Sequence, residues 1–416
     1  MSAAARENDI YVVVNGREEL NCAGADVNST VGEYCPSSRV YTFVTNVIFN
    51  RAGAVIDRYR KINLYFLEYA TTALRPDLGE FTTDFGVTFG HFIGFDILFP
   101  VPAVQVVQKR HVKNIIFPTM WKSELPFLTA VQIQESYAYV NDINLLAAGA
   151  SLPAFHGNAG SGIYSSKAGA LISILPASDT IQLLVAKVPK VPGRLTETYP
   201  GPTHGNPAAL DHLTVRQDWS LQNHTTRLLQ PGSQEFTLAH GDTTCNFKVK
   251  LAQRDGSKQY RYRAAVFSGL RWIFVLLKHM GVRMCGIYAC TGDDVETCGV
   301  RFEPYQENTT AIFEELTITA TMPSPLLDSE LTTNNSIVYP VSATVNLMPL
   351  EPKDFTYTAT TNDNVTEHTM ILQNSAAELY SFALWGRNFA IDVTDKPIRI
   401  EDLTVSTFIR RQVMML

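Results

Sequence analysis

The sequence lacks any cluster of basic residues. Its 34 lysines and arginines are scattered along 416 residues and are outnumbered by 40 aspartates and glutamates, which leaves a formal net charge of -6. Proteins that bind nucleic acid usually concentrate positive charge on one face or along one helix. We therefore expect no nucleic-acid partner for this chain.

An uninterrupted apolar run long enough to cross a membrane is also missing. The most apolar stretch covers residues 264–282, but Arg271, Lys278 and His279 interrupt it. A transmembrane helix needs about 20 predominantly apolar residues in succession. We therefore interpret the stretch as a buried strand and expect a soluble protein with no membrane span, whose length suits two domains.

Cysteine is scarce, and no two cysteines form the Cys-x-x-Cys pair typical of a zinc site. Zinc is accordingly the weaker alternative, and we expect no metal. Six cysteines do occur together with five Asn-x-Ser/Thr sequons. That combination indicates a secreted, extracellular glycoprotein, although unmodified surface loops are the alternative interpretation of the sequons. The sequons begin at Asn28, Asn223, Asn308, Asn334 and Asn364.

The segments between the cysteines reduce the number of plausible disulfide pairings. One pair flanks a polar segment between two predicted strands, and a second pair flanks Thr-Gly-Asp-Asp. Each pair is expected to close its own loop with a disulfide, which leaves the remaining two cysteines for each other. The expected disulfides are Cys22–Cys35, Cys290–Cys298 and Cys245–Cys285.

The first half alternates strand patterns with helix and hairpin patterns, which is typical of an α/β layered sheet. The predicted strands cover residues 10–14, 40–49, 55–59, 86–93, 115–117 and 144–150. The predicted helices cover residues 2–7, 102–112 and 125–140.

The composition changes between residues 188 and 231, where proline, glycine, histidine, asparagine and threonine dominate and favour a linker or an extended arm. Beyond this segment, short alternating runs rich in threonine, valine, phenylalanine and tyrosine favour strands. We therefore predict an α/β domain over residues 1–190, a linker over 191–231 and a β-rich domain over 232–416.

One apolar strand ends in a tight turn, Phe92-Ile93-Gly94-Phe95-Asp96. The turn resembles the Phe-x-Cys-Phe-Asp motif of vanins and biotinidase, the secreted amidohydrolases of the nitrilase superfamily. Further blocks, spaced over nearly the whole chain, share the resemblance: residues 57–65 around Lys61, Phe117-Pro118-Thr119-x-Trp121, residues 160–164, and the cysteines of the second half. The resemblance implies a nitrilase-like α-β-β-α sandwich followed by a vanin-type β-rich C-terminal domain.

The same resemblance implies that catalysis has been lost, because Gly94 stands where the family has its nucleophilic cysteine. Without a thiol no acyl-enzyme can form. Lys61 falls on the family's catalytic lysine, which stabilises the oxyanion, and is expected here as a relic. Two alternatives remain for Lys61: a buried lysine paired with a carboxylate such as Glu68 or Asp96, or a ligand contact. We expect no cofactor for catalysis.

Glycine at position 94 would also enlarge a pocket with aromatic walls, which suits a flat conjugated ligand. The chain resembles insect vanin-like proteins, and some insect haemolymph chromoproteins that carry bile pigment and carotenoid are similar to them. The resemblance thus suggests a pigment carrier that holds a bilin such as biliverdin, a carotenoid, or both, without a covalent bond. The expected pocket residues are Lys61, Phe92, Gly94, Phe95, Asp96, Trp121, His156 and Tyr164.

In the family, a βαβα segment that carries the general-base glutamate precedes the strand beginning here at Ile10. Residues 1–8 align instead with the helix that follows that segment. A sheet without its central strands would expose edges and an apolar face. We therefore expect a second polypeptide, either a cleaved precursor piece or a separate subunit, to supply the strands, and a higher oligomer is a further expectation.

Two other functions stay open at this point. One is residual amidohydrolase activity of pantetheinase or biotinidase type, with a water held by Lys61 and Asp96. The other is a storage glycoprotein without a ligand. A phosphate loop at Gly160-Ser161-Gly162 is disfavoured, because the segment lacks the P-loop lysine.

Overall fold

The computed structural model describes residues 1–21, 39–65, 68, 70–73, 77–152, 157–195, 203–205, 212–273, 278–305, 308–329 and 333–392. The helices are α1 (Ser2–Glu7), α2 (Gln105–Gln108) and α3 (Ala130–Asn141). The strands of the first half are β1 (Val12–Asn21), β2 (Val40–Phe49), β3 (Val55–Arg60), β4 (Gly79–Thr82), β5 (Thr88–His91), β6 (Asn114–Thr119), β7 (Glu124–Leu125), β8 (Asn144–Gly149), β9 (Ser161–Ser165), β10 (Ala170–Leu175), β11 (Thr203–Gly205) and β12 (Arg216–Gln217).

Two sheets organise the first half. A three-stranded antiparallel sheet has the order β1-β2-β3, and a seven-stranded sheet has the order β11-β10-β9-β8-β6-β5-β4. Within the larger sheet, β5, β6 and β8 are parallel neighbours. Their carboxyl ends therefore meet at one edge, the place where α/β sheets usually bind ligands.

The second half consists mainly of strands. They are β13 (Thr225–Leu228), β14 (Gly232–His240), β15 (Thr243–Ala252), β16 (Lys258–Gln259), β17 (Arg261–Ile273), β18 (Lys278–Cys290), β19 (Asn308–Thr309), β20 (Ile312–Pro323), β21 (Leu327–Asp328), β22 (Thr333–Asn334), β23 (Ser336–Thr344), β24 (Phe355–Asn362), β25 (Val365–Leu372) and β26 (Leu379–Asn388). Two five-stranded sheets, β13-β17-β18-β26-β23 and β14-β15-β20-β25-β24, share a continuous apolar core. Strands such as β15 and β20 alternate buried and exposed residues, as strands of a sandwich do.

Two disulfides connect elements of the second half. Cys245 of β15 pairs with Cys285 of β18 and so ties one five-stranded sheet to the other, while Cys290 pairs with Cys298 across a short loop. Both pairings were predicted and are confirmed. Cys22 and Cys35, together with the sequon at Asn28, lie outside the described residues.

Helix α3 joins the two halves. Nearly every residue of this helix is buried, which is the pattern of a helix covered on all sides. It contacts β8, β9 and β10 of the seven-stranded sheet and also β23 of the second half. Ser136 donates a hydrogen bond to the Pro340 carbonyl oxygen at 2.8 Å, so polar contacts reinforce this packing.

The predicted fold class is confirmed: a mixed α/β half precedes a β-rich half. The bounds of β2 are those predicted. The helix predicted over 102–112 is much shorter, because α2 stops before His111, which adopts a left-handed φ of 55°. The helix predicted over 125–140 begins only at Ala130, since Thr129 caps it by accepting a hydrogen bond from the Gln132 backbone N–H.

The segment predicted as a linker, 191–231, contains regular structure. Its strand β11 pairs in parallel with β10, and β13 pairs with β17 of the second half. The domain boundaries themselves stay a prediction. A second polypeptide that supplies further strands also stays a prediction. Among the described residues, β1 is an outer strand of the three-stranded sheet and is hydrogen-bonded to β2.

Candidate functional site

The turn after β5 places Gly94 at the carboxyl edge of the parallel strands. Gly94 begins a short 3-10 helix, Gly94–Leu98, and its φ of +48° lies in the left-handed region that favours glycine. A Cβ atom built there would lie 3.5 Å from the Lys61 Nζ and 3.7 Å from the Thr119 Oγ1. A small side chain would therefore meet backbone strain here but no close contact.

Lys61 follows directly after β3, and its side chain is 2% exposed. Its backbone N–H donates to the Val44 carbonyl oxygen at 2.9 Å, and its Nζ donates to the Glu68 Oε1 at 2.5 Å. The second carboxylate oxygen of Glu68 accepts from the Tyr65 backbone N–H at 2.8 Å. Of the two carboxylates expected as partners of Lys61, Glu68 is the one that pairs with it.

Asp96 holds the turn in place. Its Oδ2 accepts hydrogen bonds from the Tyr59 hydroxyl at 2.7 Å and the Ile93 N–H at 3.1 Å, and its Oδ1 accepts from the backbone and side-chain nitrogens of Asn63 at 2.8 and 2.9 Å. Burial raises the pKa of the Asp96 carboxyl, against the opposing effects of Lys61 and these hydrogen bonds. With four donors already bound, the carboxylate has no direction left in which to hold a reacting water.

A cavity of about 600 Å³ opens at this edge of the sheet. Four of the residues expected at a pocket line it: Lys61, Gly94, Phe95 and Trp121. Phe95 packs edge-on against Tyr65, with ring centroids 5.5 Å apart, and the Trp121 indole N–H donates to the Leu128 carbonyl oxygen at 3.0 Å. Both aromatic walls are thereby held rigidly.

Three predicted pocket residues do not line the cavity. Phe92 is fully buried and packs against Phe117 and Tyr137. The oxygens of the Asp96 carboxylate accept hydrogen bonds from Tyr59, Asn63 and Ile93. The Tyr164 hydroxyl donates to the Gln134 side chain at 3.0 Å. His156, the remaining predicted residue, lies outside the described residues.

Several lining residues were not predicted. Thr119 ends β6, and its buried hydroxyl has no hydrogen-bond partner among the described residues. Lys122 follows it closely in the chain, and Arg216 comes from β12. Arg271 and Met280 reach the cavity from the second half. The sequence signal for Thr119 was its place in the Phe-Pro-Thr-x-Trp block, whereas Arg216 and Arg271 carried no local signal.

Arg271 anchors the contribution of the second half. Its guanidinium forms an ion pair with Glu124 and donates from Nε to the Asp218 Oδ2 at 2.9 Å. Burial, followed by the nearby Arg387, lowers the pKa of Arg271 to about 10, and burial raises the pKa of Asp218 to about 6. Arg271 lines one wall of the cavity, and the carboxylates of Glu124 and Asp218 compensate the charge of its buried guanidinium.

No helix in the described part of the chain is long and apolar enough to span a membrane. Of the predicted sequons, Asn223 and Asn364 are exposed and Asn334 is half-buried. Glycosylation stays a prediction at all five positions.

Comparison with known proteins places these features in a family. A family model described as the vanin C-terminal domain matches residues 213–392. Vanin-like protein 3 of Drosophila melanogaster is 34% identical over 400 residues, which cover 94% of this chain and 73% of that protein. The chain belongs to the vanin-like family.

Biotinidase of Homo sapiens is a more distant relative of this vanin-like chain, with 31% identity over 326 residues that cover 72% of this chain and 58% of biotinidase. Among solved structures, a Saccharomyces cerevisiae member of the nitrilase superfamily is 20% identical, with a TM-score of 0.30 over 39% of this chain and 55% of that one.

Proposed function

We propose that this vanin-like chain is a non-catalytic member of its family and carries an apolar conjugated small molecule, of bilin or carotenoid type, in the cavity beside Gly94. The observation that supports the proposal most directly is the absence of a side chain at position 94, beside the Lys61 Nζ. An amidohydrolase of this family needs a nucleophile there, and glycine supplies none.

The state of Lys61 and Asp96 also supports a loss of catalysis. Lys61 retains its place 3.5 Å from the Cβ position at residue 94, but Asp96 binds four protein donors and has no capacity to orient a water. The residual amidohydrolase hypothesis assigned that task to Lys61 and Asp96 together, and is therefore the less favoured alternative.

The cavity suits a flat ligand. Its volume of about 600 Å³ lies within the range of pockets that bury most of a small organic molecule. Phe95 and Trp121 provide aromatic surfaces on which a conjugated system can stack. Secretion belongs to the same proposal, because disulfides persist in extracellular fluids such as haemolymph.

Two measurements test the proposal. Protein from its natural source is extracted with organic solvent, and a visible absorption band is expected in the extract and in the native protein. The wild-type chain and a Gly94→Cys variant are then compared with amides of pantothenate and biotin as substrates, and the wild type is expected to show no hydrolysis. A colourless native protein would reject the pigment, and wild-type hydrolysis at the rate of the variant would reject the non-catalytic assignment.

A further inference from the structure

The Thr119 hydroxyl is a buried polar group without a partner. Thr119 is 7% exposed, and no group among the described residues forms a hydrogen bond with its Oγ1. The hydroxyls of two other buried threonines, Thr310 and Thr333, share this condition. Of these three, Thr119 lines the cavity beside Gly94. Because a buried hydroxyl without a hydrogen bond is costly, its place on the cavity wall favours a partner that enters through the cavity.

Sheet pairing fixes the position of this hydroxyl. Thr119 is the last residue of β6, where it pairs in parallel with Gly149 of β8. The next residue after β8, Ala150, donates its backbone N–H to the Thr119 carbonyl oxygen at 2.9 Å. A binding group on a paired strand is held more precisely than one on a loop, so Thr119 is well suited to select a ligand.

Lys61 supplies a second donor at the same place. A Cβ atom at Gly94 would lie 3.7 Å from the Thr119 Oγ1 and 3.5 Å from the Lys61 Nζ, so the space beside Gly94 borders both groups. An ammonium carries three hydrogens, and among the described residues Glu68 is the acceptor of the Lys61 Nζ. A ligand atom beside Gly94 therefore meets two hydrogen-bond donors.

The charge of Lys61 is already compensated. Its Nζ lies 2.5 Å from the Glu68 Oε1. An acidic ligand group would compete with Glu68 for the same ammonium, whereas a neutral oxygen accepts hydrogen bonds and leaves the ion pair in place. A carbonyl oxygen matches the two donors best, because it has two lone pairs and no hydrogen of its own.

We propose that Thr119 is a ligand-binding residue, which donates a hydrogen bond to a neutral, conjugated carbonyl oxygen of the ligand in the space beside Gly94, with Lys61 as the second donor. The inference rests on the proposed binding function and narrows the ligand class to conjugated ketones, aldehydes and lactams. A conjugated hydrocarbon without oxygen would leave the buried hydroxyl unpaired.

A matched pair of fluorescent probes tests the carbonyl. Prodan is a flat dimethylaminonaphthalene with a conjugated ketone, and its propyl analogue carries a methylene group in place of the carbonyl. The two dissociation constants are measured for the wild-type protein and for each variant. Their ratio is compared between proteins, because the difference in hydrophobicity between the probes is the same in each.

Variants assign the effect to Thr119. Thr119→Val replaces the hydroxyl by a methyl group and should weaken Prodan binding about tenfold while changing that of the analogue less than about twofold, whereas Thr119→Ser should retain most of the affinity. Thr310→Val is the matched control, since it removes a buried, unpartnered hydroxyl that does not line the cavity, and it should leave both affinities unchanged. Ala150→Trp, at an exposed position of the cavity rim, should weaken both probes.

Two further measurements separate a ligand contact from a structural role. In infrared difference spectra, the isotope-labelled carbonyl of bound Prodan should absorb at a lower wavenumber in wild type than in Thr119→Val, because a hydrogen bond weakens the carbonyl bond. Without a ligand, Thr119→Val should have a Tm no lower than that of wild type, since the hydroxyl has no partner among the described residues. A lower Tm together with equal carbonyl wavenumbers would assign Thr119 a structural role and overturn the inference.

The outcomes separate the two proposals. If Ala150→Trp weakens both probes but Thr119→Val leaves their ratio unchanged, the carbonyl inference is wrong and the binding function stands. If neither probe responds to Ala150→Trp, the cavity binds neither, and both proposals fail. Should Thr119→Val not fold, the carbonyl wavenumber of Prodan bound to wild type decides: a value equal to that in an apolar solvent rejects the hydrogen bond, and a lower value supports it.

Discussion

The Nζ of Lys61 lies 3.5 Å from the position that a Cβ atom would occupy at Gly94. Lys61, which the resemblance places on the family's catalytic lysine, thus lies beside position 94, which the resemblance places on the family's nucleophile. The Glu68 carboxylate accepts a hydrogen bond from the Lys61 Nζ at 2.5 Å, so this buried lysine has a counter-charge within the protein.

Replacement of Gly94 by alanine should destabilise the protein by about 1–2 kcal/mol, because an L-residue with a left-handed backbone is strained. Gly86→Ala is a matched control, since Gly86 has a φ of +74° and open space around its Cβ position. Chemical denaturation of the two variants should yield similar losses. A much larger loss for Gly94→Ala would mean that position 94 has no room for a side chain, against the enlarged-pocket interpretation.

Replacement of Asp96 by asparagine should cost about 2–3 kcal/mol of unfolding free energy. The amide nitrogen would face donors that now bind a carboxylate oxygen, and at least one buried backbone N–H would lose its partner. Tyr59→Phe removes one donor only and should cost about 1 kcal/mol. Urea unfolding of both variants measures the difference, and equal stability of Asp96→Asn and wild type would contradict the role of Asp96 in holding the turn.

Glu135 of α3 should make stability depend on pH. Burial, and then the charge of Glu351, raise the pKa of Glu135 from an ordinary 4.5 to about 8. Between these values the unfolded chain releases the proton while the folded chain retains it, so stability falls as pH rises through this window. Glu135→Gln should therefore match wild type near pH 4.5 and exceed it by roughly 2–4 kcal/mol at pH 8.

Thermal unfolding across the pH range measures this difference. Glu351→Gln is the control: its partly exposed carboxylate, paired with Lys353, contributes only the repulsion, and the gain at high pH should be smaller. A pH-independent gain for Glu135→Gln would show that the carboxyl titrates as it does in solvent.

Removal of the disulfide between the two sheets should cost more than removal of the local one. In the chain-entropy description, the 40-residue separation of Cys245 and Cys285 corresponds to about 4 kcal/mol and the 8-residue separation of Cys290 and Cys298 to about 2.5 kcal/mol. Paired Cys→Ala variants, compared by denaturant unfolding, test the order. Equal losses, or a larger loss for the Cys290–Cys298 pair, would contradict the order expected from loop length.

Local patterns in the sequence determined much of the fold. The alternation in residues 40–49 predicted the bounds of β2, because a strand's side-chain period is set by its own backbone. The short loop between Cys290 and Cys298 predicted one disulfide, and elimination then left Cys245 for Cys285. For Lys61 the sequence left a carboxylate partner and a ligand contact as alternatives, and the structure pairs it with Glu68.

The cavity wall was decided only by the tertiary structure. Phe92 and Phe95 are alike in sequence, yet the first packs against Phe117 and Tyr137 while the second lines the cavity. Arg216 and Arg271 arrive from strands far along the chain, and their charge at the cavity depends on pairing between β7 and β12 and on the second half's packing. No local pattern specifies such contacts, because the burial and the charge of a site depend on several strands and helices that only folding brings together.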